Sequence, residues 1–256
     1  MRVDNRRLPY DGAVPDAPGL ALLIVAALFG SIVGGVAGFG GGLILLPVVA
    51  WVVGVRSAAP VLTVTMLLGN LSRIWWSRHE VDTRVIGRYL LGAIPATFVG
   101  VMLYAGTPST WLGRIIGLFL IAAIPLRRAM LASRIEVRLR HFPILGALTG
   151  ALSALVVTTG PFITPFFLAY GLRRGAFVGT EAVCALGMHL SRSVAFARYA
   201  LLGWDTVALG CLLGSTMFTG AWIGRRLLDR MSDRLFLVLI EILLLLSGLQ
   251  FLLFPR

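Results

Sequence analysis

The sequence predicts an all-α integral membrane protein. It reads as two inverted repeats, each with a Gly/Pro-broken, hairpin-like first helix, giving eight apolar spans, two of them broken. Three observations carry this expectation. Residues of the AVILMFWYC set make up 58% of the 256 positions and charged residues only 13%, with a mean hydropathy of +0.90. An ordinary soluble domain is about half apolar and about a quarter charged, and its surface must present polar groups to water. Apolar runs also recur at the length of about 20 residues that a helix needs to cross a bilayer. Finally, a set of marks in the first half returns in the same order in the second. A soluble globular enzyme and a disordered chain are excluded by this composition.

Taken in order, residues 1–18 form a tail of mixed charge, without the short apolar run and small-residue cleavage site of a signal peptide. The first transmembrane repeat occupies 19–127. Its opening span carries no charge between Asp16 and Arg56, too far for one crossing, and is interrupted by Gly34, Gly35, Gly38, Gly40, Gly41, Gly42 and then Pro47. Glycine costs about 1 kcal/mol in a helix interior and proline about 3. Such breaks stand inside lipid only where protein or a water-filled cavity satisfies the freed backbone. Spans at 57–76, 85–105 and 110–126 follow, then a basic cytoplasmic linker at 128–141. The second repeat, 142–256, opens with a second overlong span, 142–170, broken at Thr158, Thr159, Gly160, Pro161 and Pro165. It continues through 175–199, 206–223 and 235–254.

The halves correspond at Pro47 and Pro165, at Gly54-Val55-Arg56 and Gly171-Leu172-Arg173, at Leu71-Ser72-Arg73 and Leu190-Ser191-Arg192, and at Asp82-Thr83 and Asp205-Thr206. Paired interruptions in corresponding halves point to a transporter binding site near the midplane. The net charge is +12, all of the basic residues being arginine. Because the arginines lie between apolar runs, the charge reads as topology rather than nucleic-acid binding. Arg73–Arg88, Arg127–Arg140 and Arg225–Arg234 are expected in the cytoplasm, the uncharged 105–110 loop and both termini outside, with Arg56 a mild exception. Cys184 and Cys211 have no metal or CxxC spacing and read as small core residues.

The run GGVAGFGGGLILLP (Gly34–Pro47), followed by Gly54-Val55, resembles the first repeat of the TauE/SafE family of sulfite exporters. The stretch GALTGALSALVVTTGPFITPFFLAYGL (Gly146–Leu172), followed by Val178–Thr180, is similar to its second repeat; Thr158-Thr159 stands where members often carry more glycine. The likeness covers about 20–254. It implies export or uptake of sulfite, thiosulfate, sulfonates or similar small anions at a cell-membrane, multi-pass carrier.

The residues suggest how such an anion is held. Exposed amides at a broken helix N-terminus replace its water, aided by the helix dipole, and glycine lets the backbone approach. Gly38, Gly40, Gly41 and Gly42 are expected on one side, Thr158, Thr159 and Gly160 on the other. Arginine within a span is costly and faces a cavity or a partner, and its planar fork suits oxyanions. Arg192 and its repeat mate Arg73 are therefore candidates, with His189 and Asn70 three residues earlier on the same helical faces. The plainer readings are snorkelling for Arg73 beside Trp75 and Trp76 and close packing for the glycines. Glu181 and Glu241 are proton-coupling candidates; Glu181 also reads as a helix-start residue near the interface. His79 and His141 read as interfacial.

No metal or cofactor site is expected. The partners are a small anionic substrate and the lipid bilayer; a coupling proton or Na+ and a homodimer are compatible with the sequence, and nucleic acid is not expected. The expected function is that of a secondary transporter working by alternating access, and not that of an enzyme. The alternatives are an anion channel and, further off, a membrane-embedded enzyme or scaffold. No HExxH, GxSxG or GxxxxGK[ST] motif occurs.

Overall fold

The structure, a computed structural model, describes residues 15–37, 41–132, 136–157 and 159–228, together with 242, 245, 246, 248, 249 and 251–253. Its named elements are helices throughout: α1 (Ala17–Ala37), α2 (Gly41–Val53), α3 (Val55–Ser77), α4 (Thr83–Gly106), α5 (Ser109–Ala132), α6 (Phe142–Val156), α7 (Gly160–Tyr170), α8 (Arg174–Arg198) and α9 (Trp204–Leu228), with a one-turn 3-10 helix at Leu139–His141 ahead of α6. Among the described residues five stretches are long and apolar enough to cross a membrane: Ala17–Gly34, Thr83–Gly106, Ser109–Leu126, Leu139–Val156 and Trp204–Gly224. α3 and α8 match them in length, with 23 and 25 residues. They are less apolar because they carry Asn70 and Arg73, and Glu181, His189 and Arg192. Polar groups at membrane depth belong where the bundle, not lipid, surrounds them.

The first break is narrower than the glycine run. α1 continues through Gly34 and Gly35 to Ala37, and α2 begins at Gly41 and runs on through Gly42 and Pro47. α2 is apolar on every side, and residues 41–47 are all buried, as befits a helix enclosed by others. The second break is also narrower than expected, lying between Val156 and Gly160, because Gly160 and Pro161 open α7, where a missing amide costs nothing, and the helix runs on through Pro165. Val157 there has φ of 64°. A β-branched residue in that region costs about 1–3 kcal/mol and persists only when its surroundings fix it; the side chain is buried, at 4% exposure.

Glycines set the closest helix pairs. α4 lies on α6 so tightly that a Cβ at Gly146 would sit 2.0 Å from the Tyr89 carbonyl oxygen, and one at Gly92 1.8 Å from that of Pro143. α9 lies on α1 in the same way, with Gly224 against Ile32 and Gly220 against Leu28 and Ser31. Small residues allow such approach where lipid supplies no hydrophobic drive. Across the α4–α6 seam, the Tyr89 and Thr149 hydroxyls are 2.6 Å apart.

Tertiary contacts also repair the backbone. Pro60 lacks the N–H that would meet the Arg56 carbonyl one turn back, and the buried Tyr104 hydroxyl donates to that carbonyl at 2.6 Å. The Arg56 side chain in turn donates to the Ala105 and Thr107 carbonyls at 3.0 and 3.1 Å. It thus caps the C-terminal end of α4, where a cation is favoured.

α5 runs through Arg127 and Arg128 to Ala132, so the chain is still helical where the basic linker is expected to begin. One expectation is corrected. Cys184 is buried as expected, but Cys211 is exposed, because it stands on a face of α9 turned away from its neighbours. Residues 1–14 of the tail and most of the 235–254 span lie outside the described residues. Of that span, Gly248 packs against Gly117 and Ile121 of α5.

Candidate functional site

The described candidate residues converge. Gly41, Gly42, Asn70, Arg73, Thr159, Gly160, Glu181, His189 and Arg192 all line one cavity of about 60 Å³. A water needs roughly 10–15 Å³ of such volume, so there is room for a few waters or one small ion. Gly38, Gly40, Thr158 and Glu241 lie outside the described residues. Two helix N-termini open on the cavity, since Gly41 and Gly42 start α2 and Gly160 starts α7. First-turn amides have no partner within the helix, and that end of the dipole is positive.

Arg73 does not snorkel. Its Nη1 donates to Glu181 Oε2 at 2.8 Å and its Nη2 to Asn70 Oδ1. The facing carboxylate and Asn70 hold it inward. Glu181 is likewise no helix-start residue: α8 begins at Arg174, which places Glu181 two turns in, where it is 7% exposed. Arg192 is 1% exposed. Its Nη1 donates to the Ser153 carbonyl at the end of α6, and its Nη2 to His189 Nδ1. Its Nε is buried without a partner. Among the described residues no carboxylate pairs with it. Arginine has no acceptor, so His189 Nδ1 must accept, which makes the imidazole the neutral Nε2–H tautomer. Arg73 meets α8 at Glu181, about 16 Å along the axis from Arg192 by the 1.5 Å rise per residue. The two guanidiniums thus enter from opposite ends of the cavity.

Several lining residues were not singled out by sequence. Met66 and Gly69 lie on the Asn70/Arg73 face of α3, Ala185 and Met188 on the Glu181/His189/Arg192 face of α8. The i, i+3, i+4 rows through the polar residues would have found them. Ser153 continues the small-residue face of Gly146 and Gly150 on α6. Ser31, Met217 and Ala221 arrive from α1 and α9 and carry no such signal, while Gly34, named in the first glycine run, lines the cavity from α1. His79 is exposed beside Arg78, and His141 bonds the Arg138 amide at the start of the 3-10 turn.

A helical, multi-pass membrane protein with a buried, cation-bearing cavity between two helix breaks is the class that fold and site define. The family model for Sulfite exporter TauE/SafE matches residues 22–251, nearly the whole chain. The chain belongs to that family, one of membrane transporters for sulfite and related anions. No curated protein and no solved structure matches it.

Proposed function

We propose that the chain is a secondary transporter that moves a small sulfur-containing oxyanion (sulfite, thiosulfate or an organosulfonate) across the cytoplasmic membrane by alternating access. The observation that carries this reading is Arg192, a buried guanidinium with no carboxylate partner among the described residues, facing a cavity into which two helix N-termini open. An unpaired buried cation is expensive, and a visiting anion removes the expense. Guanidinium N–H groups, the amides at Gly41, Gly42 and Gly160 and the Thr159 hydroxyl are the donors that replace its water.

Paired features support two repeats of opposite sense. Asn70 accepts from Arg73 on α3 as His189 accepts from Arg192 on α8. The corners after α2 and α7 are made by Gly54 and Gly171 at φ of 85° and 106°. The glycine seam of α4 with α6 has its counterpart in α9 with α1. Such repeats rocking around a fixed site give alternating access. Reconstituted protein should take up sulfite with saturable kinetics, accelerated by anion loaded on the opposite side. Flux that rises linearly with concentration and ignores the opposite side makes the protein a channel, and absence of flux for every candidate anion refutes the reading.

A further inference from the structure

The charges lining the cavity do not cancel. Arg73 and Arg192 are cations, Glu181 is the carboxylate between 2.8 Å of one of them and open cavity, and His189 is neutral because its Nδ1 accepts from Arg192. Among the described residues one net positive charge is left, at the Arg192 end. Other groups near Glu181 are uncharged at neutral pH: Tyr89 from α4 and Cys184 on α8. The cavity residues from α6 and α7 are Ser153, Val157, Thr159 and Gly160, and from α2 Gly41 and Gly42, none of which titrates.

We propose that Glu181 is a proton-binding switch that sets the charge of this cavity, so that a singly charged anion binds with no proton and a doubly charged anion binds together with one. This rests on the anion-carrier reading above, since it takes the cavity as the anion's site. With Glu181 ionised, one negative charge from the ligand neutralises Arg192 and the Arg73–Glu181 pair stays closed. A second negative charge would stand uncompensated in a low-dielectric interior, beside a like-charged carboxylate. A proton taken from water on the loading side neutralises Glu181 and ends the ion pair. Arg73 keeps Asn70 on Nη2 and turns Nη1 to the anion, giving a dianion one guanidinium at each end. When the anion leaves, Arg73 recaptures the carboxylate and the proton departs to the same side.

The test uses the full-length, detergent-purified protein and two ligands of fixed charge near neutral pH, thiosulfate (doubly charged) and methanesulfonate (singly charged). Titration calorimetry in two buffers of different ionisation heat counts the protons taken up per anion. Wild-type protein should take up about one proton per thiosulfate and about none per methanesulfonate, and thiosulfate affinity should fall about tenfold per pH unit above the Glu181 titration. Glu181→Gln should bind thiosulfate with about no proton uptake and a pH-independent affinity. Equal proton uptake for the two anions overturns the proposal, as does undiminished uptake in folded Glu181→Gln, or exclusion of thiosulfate even at acid pH by protein that binds methanesulfonate. The wild-type comparison decides the matter if the variant does not fold. Absence of binding by sulfite, thiosulfate and methanesulfonate alike removes the carrier reading itself.

Discussion

Arg192→Met separates a functional arginine from a structural one, because the two roles move stability in opposite directions. The substitution keeps most of the buried stem and removes the guanidinium. An ion taken from water into a protein interior carries a penalty of several kcal/mol, and Arg192, at 1% exposure, has no carboxylate among the described residues to offset it. Little is lost in exchange. The Ser153 carbonyl still accepts the Val157 amide at 2.9 Å, so only His189 Nδ1 is orphaned, at about 1–3 kcal/mol. The empty protein should therefore become more stable by about 1–2 kcal/mol, or about 2–8 °C in melting temperature for a chain of this size. Anion binding should move the other way. Charge-assisted hydrogen bonds are worth about 1.5–3 kcal/mol, so sulfite affinity should fall about 10–150-fold. Thermal melting in detergent gives the first quantity and titration calorimetry with sulfite the second. A lower melting temperature together with wild-type affinity would show that Arg192 is a brace for α6 and α8, and the reasoning would be refuted.

Other consequences follow from the packing. Tyr104→Phe should cost about 1–3 kcal/mol by orphaning the Arg56 carbonyl, and about 1 kcal/mol less in a Pro60→Ala background, where a restored amide takes that carbonyl; equal cost in both backgrounds, measured by denaturant unfolding in detergent, removes the repair assigned to Tyr104. Gly146→Val should destabilise by about 3 kcal/mol or more, because the new Cβ would lie 2.0 Å from the Tyr89 carbonyl oxygen and α4 must separate from α6. Melting temperature reads this, and a neutral result denies the close seam. In detergent, Cys211, on the outward face of the Trp204–Gly224 span, should react with an apolar, micelle-soluble maleimide faster than the buried Cys184, which stays unmodified until unfolding; peptide mapping by mass spectrometry distinguishes them.

Much of the site was legible in the sequence because each half of it is local. Asn70 with Arg73 and His189 with Arg192 lie one helical turn apart, and the 3.6-residue period alone puts each pair on one face. The breaks were legible because glycine and proline weaken helices wherever they stand, though the strength of the first cluster was overread: Gly34, Gly35, Gly41 and Gly42 remain helical when neighbouring helices enclose them. What the sequence could not state is which partner closes each arginine's valences. Arg73 meets Glu181 across 108 positions, and Arg192 meets the Ser153 carbonyl across 39. Those pairings depend on α8 crossing α3 and on where α6 stops.

That dependence also explains why the two arginines, equivalent by repeat, are not equivalent in charge. The position on α3 that matches Glu181 by the Arg73–Arg192 register is Leu62, an apolar core residue at 0% exposure. Among the described residues Arg73 thus has a carboxylate and Arg192 has none, so two guanidiniums at matching positions of the sequence are balanced differently. If the asymmetry sets the cavity's net charge, moving it should move the preference. Adding Leu62→Glu to the wild-type chain should place a carboxylate near Arg192, cancel the remaining positive charge and abolish binding of methanesulfonate while the protein stays folded by circular dichroism. Retained methanesulfonate affinity in that folded variant would mean that charge balance in the cavity is not what recruits the anion.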